Sequence, residues 1–561
     1  MRLSLTNDFR QLPFSPSDWV VVAVLAGIAL VAGFWILADL SLRFTVEVPG
    51  RGGTYSEGIV GTPRFINPIL ALSDADRDLV ALTFSGLLRA LPDGSVVPDI
   101  AENYTVSDDK RTYTFTIRKD AVFHDKTPIT ADDVAFTVAL AQNPATKSPK
   151  RANWEGVDVT VVDARTVSFT LKEPYAPFLE NMRLGILPKH LWSTVRVDEI
   201  PFSTLNTKPV GEGPYVLSSV SINASGIPTD MTLTAFDRAV RVPYITHIHL
   251  MFYPDSDALL KVMTSDATLA AHSVSPAGIT NHDVHEAVLG RVFGVFFNQN
   301  QNDLFADKAV RKALNVALDK KSIVDTLISG YGSPIEGPLP PQQISPDEAP
   351  AKDSSERTAD AEAILTADGW TKGSDGVFVK KIKKSVKRLS FVLATGNAPE
   401  LKGATEAVSS QWKTLGAEVT TQFFEASDLQ QEVIRPRKYE ALLFGEVVGR
   451  EMDLFAFWHS SQRNDPGLNI ALYTNASVDK LLKDARATDD PVARRNAAQK
   501  AANIITDEYA ATFLYSPHFI YITPKNLSGL TLGTVATPSD RFINVTDWYL
   551  VTERVWPMFA R

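Results

Sequence analysis

YTFTIRKDAVFHDKTPITADDVAF, residues 113–136, passes from strand through turn to helix, and its reading decides the fold. Tyr113, Phe115 and Ile117 alternate with Thr114 and Thr116, the period-two pattern of a half-buried strand. After Phe123 and His124 the chain turns through Asp125, Lys126 and Pro128, and Thr130 stands at the N-cap position ahead of Ala131, Asp132, Asp133 and Val134. His124 with Asp125 has the makings of a base and its orienter, and Asp132 with Asp133 those of a carboxylate pair. Side chains adjacent in sequence do not converge on one reacting atom, however, and acids in a first helical turn answer the helix dipole. The stretch therefore reads as scaffold, a strand feeding a helix in a mixed α/β unit.

The whole chain has 561 residues, enough for about three or four units. Hydrophobic residues at 44% and charged residues at 22% fit a globular body and exclude a multispan membrane protein or wholesale disorder. The formal net charge of −9 argues against a nucleic-acid partner, which needs a basic face. The basic cluster KKIKKSVKR at 380–388 is broken by Ile382 and Val386, with Val379 and Leu389 beside it, as in the solvated faces of a hairpin. There is no cysteine, which excludes disulfides, thiolate metal sites, a cysteine nucleophile and a lipid-modified N-terminal cysteine.

Trp19 to Ala38, WVVVAVLAGIALVAGFWILA, carries no charge and is bracketed by Asp18 and Asp39. At about 1.5 Å per residue such a run spans the roughly 30 Å of bilayer hydrocarbon, longer than the apolar core of a cleaved signal peptide. An uncleaved single-pass anchor in the cytoplasmic membrane is expected, with the main body on the outer face and Trp19 and Trp35 at the interfaces. Residues 1–18 then form a short N-terminal segment and 39–53 a tether ending at Gly52 and Gly53.

Beyond the tether, strands and helices alternate irregularly. KPVGEGPYVLSSV at 208–220 places Gly211, Gly213 and Pro214 ahead of a strand, a boundary or hinge. Asp255 or Ser256 caps a helix after YITHIHLMFYP, and one helix is expected over Asp307 to Leu327, ended by Gly330. The proline-rich segment 333–352 reads as a long irregular connection. Further helices are expected at 356–367, 400–415, 477–486 and 491–509, the last with Asp490 as cap and Pro491 at its first position.

No phosphate-cradling loop, nucleophile elbow or H-E-x-x-H motif occurs. His247 and His249 share a strand face without an evident third ligand, and His282 and His285 stand at helical i, i+3 spacing; neither pair points to a metal, and no cofactor is implied.

Several separated stretches fall into a familiar order: GGTYSEGIVGTPRFINPI, FSGLLRALPDGSVVPDIAENYTVSDDKRTYTFTIRKDAVFHDKTPITADDVAFTV, VDARTVSFTLKEPYAPFLENMRLGILPKHLW, PVGEGPYVL and VFFNQNQNDLFADKAVRKALNVALDKKSIV. In these the chain resembles the oligopeptide- and dipeptide-binding proteins of ABC importers, solute-binding family 5, from about residue 51 to 520. Lys126 departs from the family's usual Gly, and Glu212 from its usual Thr. The resemblance implies a type II periplasmic-binding-protein fold, α/β, with two hinged lobes and an extra subdomain behind one transmembrane helix. It implies lobe I from 54–84, 201–292 and 510–561, the extra subdomain at 85–200 and lobe II at 293–509.

A peptide or other small solute enclosed by lobe closure, ABC permease subunits as partners and a monomeric state follow from it. In FGEVVGREMDLFAFWHSS, residues 444–461, an acid is expected to pair with the peptide ammonium. Glu446 ranks first, followed by Glu451 and Asp453. Ile66 and Asn67 are expected at the cleft, Tyr215 near the hinge, and Trp154, Phe457 and Trp458 as aromatic walls. The same residues leave room for an anchored hydrolase using the acids of 124–133 or the histidines near 247 and 282, and for a surface sensor or chaperone-like binder.

Overall fold

The computed structural model describes residues 15–342, 344, 353–383 and 385–559. Its spine is a long mixed sheet shared by both halves of the molecule. From one edge the strands run Glu418–Phe424, Ser390–Gly396, Ala441–Val447, Arg291–Phe297, Ala511–Pro524, Leu269–His272, Thr54–Val60, His247–Tyr253, Pro228–Ala235 and Tyr215–Ile222. Ala511–Pro524 is the strand that joins the halves. Its first part pairs with Arg291–Phe297 in one lobe, and its second pairs with Leu269–His272 and His282–Val288 in the other. The chain crosses a second time at Leu289 and Gly290, between His282–Val288 and Arg291–Phe297. Two extended strands are what a hinge needs, because they change direction without breaking a core.

Tyr113, Phe115 and Ile117 are buried on one face of Thr112–Ile117, as the alternation requires. That strand is the second in a four-stranded antiparallel sheet with Ala101–Val106, Thr166–Thr170 and Asp158–Asp163. The helix behind it, Ala131–Gln142, starts at Thr130, where Asp133 Oδ2 accepts both the backbone N–H and the hydroxyl of Thr130. Lys126 sits at φ +74°, a left-handed conformation that glycine adopts freely and a lysine adopts under strain. The core of this subdomain is continuous with that of lobe I, running from Phe115 and Phe169 to Tyr55 and Trp548. The second lobe packs apolar side chains on both faces of its sheet, around Trp412 on one side and Trp458 on the other.

Gly211 and Gly213 serve close packing. A Cβ at Gly211 would lie 2.0 Å from the Thr83 carbonyl oxygen, and one at Gly213 2.5 Å from the Thr83 carbonyl carbon. Beside them Glu212 is buried, its Oε1 accepting the N–H groups of Ser85 and Ile186, and burial holds its carboxyl well above the usual range. The lobe I sheet is fastened by Arg541, fully buried, which donates to Glu57 at 2.8 Å and to both oxygens of Asp78 at 2.7 Å.

Some sequence expectations need correction. Asp307 to Leu327 is two helices, Lys308–Val316 and Lys320–Ile328, because Asp319 caps a new start by accepting the Ser322 N–H. His282 and His285 lie on a strand, paired with Ala511–Pro524, so their spacing carries no helical meaning. Of the connection 333–352, Gly332–Pro334 forms a short strand, while 343 and 345–352 lie outside the described residues. The segment 39–53 contains little slack: the apolar helix runs from Pro16 to Phe44, and Val46–Gly50 pairs with Val551–Val555.

Candidate functional site

Each of three helix starts brings one polar group to a common space. Ser73 and Asp76 form a capping box for Asp74–Thr83, which presents Arg77. Asp76 Oδ1 also accepts the N–H groups of Arg64 and Phe65, pinning the loop that approaches this helix. The helix Arg151–Trp154 follows Lys150, and Thr537 with Asp540 caps the 3₁₀ segment Pro538–Asp547. Between them lies a cavity of about 300 Å³, lined by Arg77, Lys150, Trp154, Glu180, Arg183 and Asp540 among others. That volume is at the lower end for small-molecule sites. A smaller one of about 140 Å³ adjoins it through Phe84, Arg183 and Asp540.

The charges in this space are unevenly matched. Arg183 donates to Glu180 Oε2 at 2.7 Å and to Asp540 Oδ1 at 3.1 Å. Arg450, from the other lobe, reaches the same Asp540 oxygen at 2.6 Å. Burial alone would push the Asp540 carboxyl up, but Arg450, Arg183 and the N–H groups of Thr537 and Ala536 bring it below its ordinary value. Arg77 is answered by Asp74 at 3.1 Å. Lys150 Nζ has no ion-pair partner among the described residues, and burial, with Arg77 and Arg183 nearby, lowers its pKa. Glu180 Oε1 is buried without a hydrogen-bond partner. The cavity thus holds one uncommitted ammonium and one uncommitted carboxylate oxygen.

Lobe I and its extra subdomain line this space, and the second lobe borders it through Arg450. Besides Arg450 with Asp540, the Ala176 N–H donates to the Arg486 carbonyl at 2.8 Å, Lys110 pairs with Asp489, and the Arg486 guanidinium lies 5.1 Å from the Tyr175 ring centroid. The lobes are in contact across it.

Of the residues singled out from sequence, Trp154 lines the cavity, 2% exposed and packed on Phe169 and Phe178. The others stand elsewhere. Glu446 is 2% exposed in the core of the second lobe, where the Trp458 indole N–H donates to it at 3.2 Å. Burial pushes its carboxyl up to about 8, so it is mainly protonated at neutral pH. Glu451 is paired with Arg494, and Asp453 takes Arg486 at 2.6 Å. Ile66 is buried, and Asn67 donates to Asn206 Oδ1 at 3.0 Å. Tyr215 is buried with its hydroxyl on the Ile245 carbonyl, and Phe457 and Trp458 belong to the second lobe's core. His124 is held by Gly211 N–H on Nδ1 at 3.3 Å and Gly213 carbonyl on Nε2 at 3.1 Å, and burial lowers its pKa to about 4. No group of three or more metal-ligating side chains occurs among the described residues.

Sequence reading passes over Lys150, Glu180, Arg183, Arg450 and Asp540. Asp540 has a legible signal, the Thr537-Pro538-Ser539-Asp540 capping pattern. Lys150, Glu180 and Arg183 have none, because surplus charge is a property of the assembled space.

The fold has known relatives. Residues 95–467 match the family model described as bacterial extracellular solute-binding proteins, family 5 Middle. The chain belongs to that family. It is 28% identical to the oligopeptide-binding protein AppA of Bacillus subtilis over 536 residues, covering 91% of this chain and 94% of that one. Protein XP55 of Streptomyces lividans is 29% identical over 503 residues, covering 84% and 85%. The solved structure of B. subtilis AppA in complex with a nonapeptide superposes with a TM-score of 0.67 at 27% identity, covering 90% of this chain and all of that one.

Proposed function

We propose that the protein is the extracytoplasmic receptor of an ABC importer, capturing a peptide between its lobes and passing it to the permease. Membership of family 5 and the oligopeptide-binding relative support a peptide ligand. The observation that carries the reading is a cavity between lobe I and its extra subdomain, beside the second lobe, where Lys150 Nζ has no ion-pair partner among the described residues and Glu180 Oε1 has no hydrogen bond. A zwitterionic peptide meets both, its ammonium at Glu180 and a carboxylate at Lys150, in a space where water screens little and charge pairs are strengthened. Trp154 supplies an apolar wall, and Glu446, Glu451 and Asp453 hold the second lobe in shape, through a core carboxyl and two ion pairs.

The protein acts as a monomer anchored by its apolar N-terminal helix, with the body on the outer face of the cytoplasmic membrane. The reading is of binding without bond cleavage, and His124, one of the candidates of the hydrolase alternative, has both ring nitrogens engaged by backbone.

Calorimetry on the full chain in detergent with trialanine, N-acetyl-trialanine and trialanine amide tests this. Blocking the amine weakens binding to the native protein but not to Glu180→Gln, and blocking the carboxylate weakens binding to the native protein but not to Lys150→Met. Equal affinity for all three peptides, or recovery of cleaved peptide, would refute the proposal.

A further inference from the structure

The C-terminal strand lies beside the end of the apolar helix. That helix runs unbroken from Pro16 to Phe44, and its apolar window, Ser17–Ile36, is long enough to cross a bilayer. One residue later Val46–Gly50 pairs antiparallel with Val551–Val555, in the register Val46 opposite Val555 and Gly50 opposite Val551. Arg554 locks the junction: it donates to Glu47 at 2.8 Å, to the Thr45 hydroxyl at 3.1 Å and to the Thr45 carbonyl at 3.2 Å. The register brings the chain after Val555 back level with Thr45, heading toward the helix end.

At that level the C-terminal turn is apolar and uncovered. Trp556 is 48% exposed, Met558 81% and Phe559 69%, the last two in a single 3₁₀ turn, Pro557–Phe559. Phe44 at the helix end is 53% exposed. Eight residues separate Ile36 from Phe44, about 12 Å of helix at 1.5 Å per residue. The layer between hydrocarbon and bulk water is roughly 5–8 Å thick on each side, and a reversing strand that ends in a helical turn descends toward it. Tryptophan and phenylalanine beside a proline, with no acid from Val555 to Arg561, suit that layer.

We propose that Trp556, Met558 and Phe559 form a second membrane contact, a foot inserted in the lipid interface beside the transmembrane helix. With two contacts joined by a clamped ribbon, the body is held at a fixed height and tilt over the bilayer, where a flexible linker would let it swing. The proposal rests on the reading that Pro16–Phe44 spans the membrane.

The absence of cysteine makes the test direct. Three single-cysteine variants of the full chain, Met558→Cys, Phe34→Cys and Val162→Cys, carry an environment-sensitive nitrobenzoxadiazole label in liposomes of phosphatidylcholine and phosphatidylglycerol. The positions are exposed, so the fold tolerates them. With spin-labelled lipid present, the label at 34 should lose emission strongly, the label at 558 should lose emission to an interface quencher with a blue shift, and the label at 162 should be unaffected. Quenching at 34 without quenching at 558 overturns the foot while leaving the anchor. Quenching at neither overturns the spanning reading on which the foot depends.

Discussion

Replacing Glu446 by glutamine should stabilise the protein at neutral pH and not in mild acid. The side chain is fully enclosed, accepts one hydrogen bond from Trp458 and leaves Oε1 unpartnered. Burial raises its pKa from 4.5 to about 8. The unfolded chain therefore gives up this proton near pH 4.5 while the folded protein keeps it until about 8. Folding gains nothing from the group below pH 4.5, and stability is lost steadily as pH rises between those values. At about 1.4 kcal/mol per pH unit the loss is roughly 1 kcal/mol at pH 5 and on the order of 3 kcal/mol at pH 7. Glutamine keeps an acceptor for the indole and never ionises, so Glu446→Gln should gain on the order of 2 kcal/mol on the native protein between pH 5 and pH 7. For a lobe of this size that is roughly 5–10 °C in Tm. Trp458 beside the site makes intrinsic fluorescence a fitting readout of thermal unfolding. A Tm offset between variant and native protein that is the same at both pH values would refute the assignment of Glu446 to a closed apolar core.

Four other substitutions probe separate parts of the fold. His124, held near pKa 4 against an ordinary 6.5, supports the fold fully above pH 6.5, with the contribution lost as pH falls toward 4. His124→Gln should remove up to about 3 kcal/mol of acid sensitivity in that window, read as a flatter Tm profile. Arg541→Ala strands Glu57 and Asp78 without a cation and should lower stability by about 3–5 kcal/mol, measured by urea unfolding of the full chain. Gly211→Ala should cost about 3 kcal/mol or more, since the new methyl meets the Thr83 carbonyl at 2.0 Å, whereas Gly226→Ala, with open space but φ +76°, should cost about 1–2 kcal/mol.

Particular residues show how far sequence reading reaches. The strand Thr112–Ile117, the Thr130 helix start, the capped helices from Asp255 and Asp490 and the hairpin Phe378–Arg388 are legible, since each depends on residues a few positions apart. The break at Asp319 escapes it because the apolar stripe continues across that position and only the cap reveals the second start. His282 and His285 suit a helix by spacing, but pairing with Ala511–Pro524, more than two hundred residues away, makes their segment a strand. Glu446 ranks as a cleft residue by its neighbours in sequence, yet the direction of its side chain depends on the register of Ala441–Val447, which puts Leu442 and Glu446 on the same core-facing side.

The sequence by itself determined the family, the apolar helix, most of the strands and helices, and the scaffold role of residues 113–136. These are local periodicities and ordered motifs, and short-range physics suffices for them. Only the tertiary structure decided which charges share a space: Lys150, Glu180, Arg183, Arg450 and Asp540 come from four distant segments, and whether a cation is left unpaired depends on all of them at once. It likewise decided that the chain's last strand stands beside the end of its first helix, a consequence of backbone pairing across some five hundred residues that no local pattern encodes.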